Sequence, residues 1–175
     1  MDQNDPIYSK SVLDMFTVAN EYCIFLEKTA SYDPETIYTY LHRVLPLLYL
    51  KGSTVPLVQA KYPEANERYV TEEHWQGVFN ELKTKFAQND TFYFSDPRSE
   101  NEEADRFSLA ENLADIYQDV KDFVLLFSKE SHAARENAIQ EIARLFKSHW
   151  GHRILLCQIQ THFLLYQADM NEDRI

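Results

Sequence analysis

The chain has 175 residues, enough for one domain spanning 1–175, with 11 Tyr, 11 Phe and 2 Trp to fill a core. Its 28 acidic against 17 basic residues give a formal charge of −11, a field that repels phosphate backbones and anionic lipid heads, so neither nucleic acid nor membrane is expected as a partner. Glycine occurs only at 52, 77 and 151, too sparsely for a phosphate-cradling loop, and G-x-S-x-G, H-E-x-x-H, C-x-x-C and E-x-x-H are missing, so no cofactor and no metal is expected.

The polar start, MDQNDPIYSK, lacks the basic and apolar regions of a signal peptide. The longest apolar run, VLPLLYL at 44–50, is too short to cross a bilayer. A cytoplasmic location is expected. Val12, Phe16, Ala19, Cys23 and Leu26 recur at helical spacing and predict a first helix over 11–29, its stripe widened by Leu13 and Met15. Cys23 and Cys157 both fall among apolar residues, where reduced, buried thiols are expected, although spacing alone leaves a disulfide open.

A second helix opens at DPET, where Asp33 caps the free amides and Pro34 takes the first helical position. Ile37, Leu41, Val44, Leu45 and Leu48 face the core, and Pro46 is expected to break or kink the helix. Residues 53–70 show no period and contain Pro56 and Pro63, which predicts a long connection anchored by Tyr62 and Tyr69. A third helix starts at Thr71, with Glu72 and Glu73 at its positive end and Trp75, Phe79, Leu82 and Phe86 on its buried face. Phe92, Tyr93 and Phe94 read as an extended segment or one strand of a hairpin, and 98–105 as a charged surface loop.

Ser108 and Glu111 form a capping box ahead of a fourth helix with the core stripe Leu109, Leu113, Ile116, Val120, Phe123, Val124 and Phe127. The final segment, 132–168, is helical in pattern throughout. At 1.5 Å per residue it would reach about 55 Å, far beyond a twenty-residue neighbour, so a kink or break is expected at Gly151.

Two groups of side chains attract a functional reading. SHWGHR (148–153) places His149 on the inward stripe, His152 at its edge and Trp150 on the other flank. The preferred reading is a structural histidine bonded to another helix beside a packing tryptophan, since H-x-x-H supplies only two ligands where a catalytic zinc site takes three. On the fourth helix Glu111, Asp115 and Asp119 repeat at i, i+4, i+8, with Asp122 close behind, and this acidic ridge points nearly opposite the Leu113/Ile116/Val120 stripe. A solvated ridge is therefore expected, facing away from the imidazoles. A functional ridge would need a cover, such as residues 53–70 or a second subunit, with His152, Arg153 or Arg144 as partners.

FYFSDP, then SLAENLADIYQDVKDF, then SHWGHR, with ANEYCIFLE near the start, resemble a bacterial family known as domain of unknown function 5063. The resemblance rests on Asp96–Pro97, on Leu113 to Lys121 and on His149 to Gly151. It implies a helical bacterial domain and carries over no functional residue.

The expected fold is all-α, a bundle of about five helices with irregular connections and a last helix kinked or broken near Gly151. The expected role is a non-catalytic protein-binding or adaptor module acting through a protein partner or a homodimer. The rival is a metal-binding or hydrolytic bundle using Glu111, Asp115, Asp119, His149, Trp150 and His152. A third reading is a small-ligand pocket among the tyrosines.

Overall fold

The computed structural model describes residues 5–95 and 103–172. Six helices and one small hairpin follow one another: α1 (Lys10–Leu26), α2 (Pro34–Ser53), α3 (Glu72–Phe86), β1 (Thr91–Phe94), β2 (Asp105–Ser108), α4 (Leu109–Phe127), α5 (His132–Leu145) and α6 (Gly151–Glu172). A π-helical turn, Phe146–Trp150, joins α5 to α6, so the last two helices form the single broken fifth helix of the expected bundle. No described helix is long and apolar enough to cross a membrane.

Local chemistry fixes most helix starts. Asp33 accepts from the amide of Thr36 at 2.9 Å, and Pro34 opens α2. Thr71 caps α3 through the amide of His74, and Ser108 caps α4 through that of Glu111. Asp90, fully buried, adds a second cap on α4 by accepting from the amide of Ala110 at 2.7 Å. That carboxylate meets Lys83 on α3, which ties the start of α4 to its neighbour.

Helix α2 does not break at Pro46 but continues to Ser53. Proline cannot donate to the carbonyl four residues back, and the orphaned His42 carbonyl accepts instead from Gln158 Nε2 of α6 at 3.4 Å. Leu13, expected to widen the core stripe of α1, is exposed, whereas Met15 is buried. Phe92–Phe94 form one strand of a hairpin, antiparallel to β2 with Phe92 opposite Phe107 and Phe94 opposite Asp105. Asp105 is thus a strand residue, while 98–102 and the Asp96–Pro97 pair lie outside the described residues.

The core runs along α4, which touches α1, α3, α5 and α6. Val12, Ala19 and Cys23 of α1, the α2 stripe from Ile37 to Leu48, and Ile139 and Ile142 of α5 close around it. Tyr22 crosses this interior to donate to the Leu113 carbonyl at 3.0 Å. Cys23 and Cys157 are buried and free, and burial pushes both thiols well above their ordinary value.

The break at Gly151 takes the form of the π turn. Gly151 donates its amide to the carbonyl of Phe146, five residues back, and a Cβ at Gly151 would lie 2.4 Å from that oxygen. Only glycine fits there without disturbing the turn. The turn drives Trp150 into the core, where its indole N–H donates to the Ile142 carbonyl at 3.1 Å. Opposite, a Cβ at Gly52 would sit 2.2 Å from the Trp150 ring. Gly52 therefore makes room for the tryptophan, and Gly151 for the turn that delivers it. Farther along, α6 departs from helical geometry at Tyr166 (φ −117°, ψ 15°).

Candidate functional site

The acidic ridge of α4 is covered, not solvated. Only Glu111 remains exposed, while Asp115 is half-buried and Asp119 and Asp122 are buried. The cover comes from three directions: α3, the connection at 54–71, and the π turn with the start of α6.

Asp115 accepts from Trp75 Nε1 of α3 and from Arg153 Nε of α6, each at 3.0 Å. One turn on, Asp119 accepts from Arg68 Nη2 at 3.1 Å and meets His149 Nδ1 at 2.5 Å. Asp122 accepts from Arg68 Nε at 2.8 Å and from the amides of Tyr69 and Val70 at 2.7 and 2.8 Å. Arg68 thus bridges two carboxylates, and Asp122 holds the connection against α4. The same connection is fastened farther up by Ala60 donating to Gln140 and by Asn137 donating to the Tyr62 carbonyl. Tyr62 itself points outward, so its backbone is the anchor and its ring is not.

Sequence reasoning turned the imidazoles and the ridge away from each other, and the structure brings His149 onto Asp119. The reason is geometric. A π turn holds one more residue per turn than an α-helix, which rotates everything after it by about 100° relative to regular winding. A wheel drawn through residues 132–168 at constant pitch therefore misplaces the residues after Phe146. Trp150, expected on a flank at the site, is a core residue. Of the three partners foreseen for a covered ridge, Arg153 reaches it. His152, 3.1 Å from Arg153, lines a cleft with Glu111 and Asp115, and Arg144 pairs with Glu141. Arg68 and Trp75 were missed. Arg68 sits in a stretch without periodicity, NERYV at 66–70, where nothing in the sequence singles it out.

Burial pushes the Asp119 carboxyl above the usual carboxylate range, against the pull of His149 and Arg68. A carboxylate oriented on an imidazole nitrogen is also the arrangement that positions a catalytic histidine. A cleft of about 230 Å³ is lined by Arg106, Ser108, Glu111, Asp115, His152 and Arg153. A groove of about 720 Å³ between α3, α4 and the connection is lined by Tyr69, Val70, His74, Tyr117 and Lys121. Neither is lined by Asp119 or His149. Among the described residues no three His, Cys, Asp or Glu side chains gather where one ion could be held.

The family model described as a domain of unknown function, DUF5063, matches residues 6–167. Among solved structures, the crystal structure of protein BF1032 from Bacteroides fragilis is similar over 93% of this chain and 96% of its own, with 30% identity and a TM-score of 0.83. Nothing among curated proteins matches the chain.

Proposed function

We propose, for a chain that belongs to the DUF5063 family, the role of a protein-binding module whose buried polar seam is structural. The observation that carries this reading is the mutual saturation of the seam. Asp115, Asp119 and Asp122 are each engaged by at least two donors from other elements, and neither Asp119 nor His149 lines the cleft or the groove. Charged groups spent on one another stitch helices together and leave little capacity for a substrate.

The Asp119–His149 pair favours one second reading, a hydrolytic bundle in which His149 acts as base, with Glu111, Asp115 and His152 lining the adjoining cleft. Urea unfolding of Asp119→Asn and His149→Gln separates the two. A structural seam loses about 1 kcal/mol or more for each substitution, as a buried group is stripped of its partner. Catalytic groups are held at a cost to stability, so unchanged or increased stability in both variants would refute the structural reading.

A further inference from the structure

The chain carries 28 acids, yet none lies between Glu35 and Glu64 or between Glu141 and Asp169. Those two stretches are α2 with its following connection, and the end of α5 with the described side chains of α6. Folding places them together. Helices α2 and α6 pack antiparallel, with Gly52 against Trp150 at one end and His42 against His162 and Tyr166 at the other, ring centroids 5.5 and 5.4 Å apart. The result is a side to which neither α2 nor α6 contributes an acid over those stretches, on a strongly acidic molecule.

That side is also apolar and uncovered among the described residues. On α6, Leu155, Ile159, Phe163 and Tyr166 recur at i, i+4, i+8, i+11 and are all exposed, as are Leu47 and Leu50 on α2. The ridges border the seam from either side, because Tyr166 reaches His42 and Phe146 reaches Tyr49 across it. Two of the cations there are uncommitted. Arg43 and Lys147 are exposed and make no ion pair among the described residues, while Lys51 at the margin is occupied by Asp14.

We infer that the α2–α6 face docks an amphipathic helix of a protein partner, apolar along one stripe and acidic on its flanks. This rests on the reading of the chain as a protein-binding module and names the chemistry of what it binds. Two parallel apolar ridges suit a helix laid along them. The charge selects the flank, since carboxylates of the partner would meet Arg43, Lys147 and the two histidines here, whereas over the rest of the chain acids outnumber bases. A second copy offers no carboxylate on this face and adds its own charge of −11. An anionic membrane would be repelled by the same overall field.

The test uses the full chain and three synthetic helical peptides sharing a leucine stripe, with flanks of Glu, Ser or Lys. Amide shifts in labelled protein map the site, and fluorescence anisotropy gives affinities. The Glu peptide is expected to shift α2 and α6 resonances, to bind about tenfold more tightly than the Lys peptide, and to weaken as salt is raised. The exposed double variant Ile159→Ser/Phe163→Ser, with its fold checked by circular dichroism, should lose about tenfold in affinity. Equal or better binding by the Ser or Lys peptide on the same face overturns the charge inference and leaves the module reading standing. Binding of the Glu peptide elsewhere, flotation with anionic phospholipid vesicles, or a dimer abolished by the double variant overturns it in favour of another site, a membrane or a second copy. Silence of this face toward all three peptides overturns both readings.

Discussion

Alanine placed at each of the three glycines separates what the tertiary structure demands from what helix propensity demands. Gly77 lies inside α3 with nothing within 4 Å of a built Cβ, so Gly77→Ala should gain about 1 kcal/mol, the ordinary propensity difference. Gly52 also lies inside a helix, but its Cβ would sit 2.2 Å from Trp150 Cη2 and 2.9 Å from Phe146. Ordinary contact needs about 3.5 Å, so the indole must retreat by more than about 1 Å. It is fully buried and tethered to the Ile142 carbonyl, so it has no room to do so. Overpacking of this kind costs about 1–3 kcal/mol, which outweighs the propensity gain at most of that range. Gly151→Ala should cost more, because the atom it meets at 2.4 Å is the Phe146 carbonyl oxygen, and backbone cannot rotate aside as a ring can. Urea unfolding followed by circular dichroism gives all three free energies. In thermal melts each kcal/mol moves the midpoint by about 2–4 °C for a chain of this size. Equal gains at positions 52 and 77 would refute the packing account of Trp150, and a stabilised Gly151→Ala would refute the π turn.

Other consequences are open to measurement. Asp122→Ala removes the acceptor for the amides of Tyr69 and Val70 and for Arg68, so trypsin should cut the native protein after Lys61 or Arg68 faster than it cuts the wild type. Asp119→Ala should cost about 1–3 kcal/mol in urea, below the value for a fully buried ion pair, because Arg68 is 52% exposed and turns to water. The Asp33 carboxyl is held below its ordinary value by the Thr36 amide it caps. A depressed folded-state value gives stability above the unfolded value of about 3.9 that is lost as pH falls through the folded one. The melting difference between wild type and Asp33→Ala should therefore hold at neutral pH and shrink below about pH 4. Both thiols should resist alkylation in the native protein and react together in denaturant, since burial keeps Cys23 and Cys157 protonated.

What was legible in the sequence was local. Asp33, Thr71 and Ser108 announce helix starts because a cap acts within one turn of its own chain. The stripes from Ile37 to Leu48 and from Leu109 to Phe127 announce buried faces because helical period is a property of a single element. Gly151 announced a discontinuity because no other residue in that segment leaves space for one. The solvated ridge failed on the same principle. A wheel reports which side chains share a face of α4, and it cannot report that α3, the connection at 54–71 and α6 close over the face opposite the core stripe. His149 reached Asp119 because a π turn changed the winding upstream, and neither periodicity nor composition encodes that turn. The two acid-free stretches are visible in the sequence as well, yet they become one surface only when α2 and α6 lie side by side. Short-range hydrogen bonding and helical pitch determine the elements from the sequence, whereas the neighbours of each charge are set by packing between residues far apart in the chain, and that packing decided which carboxylates meet cations and which acid-free stretches come to share a side.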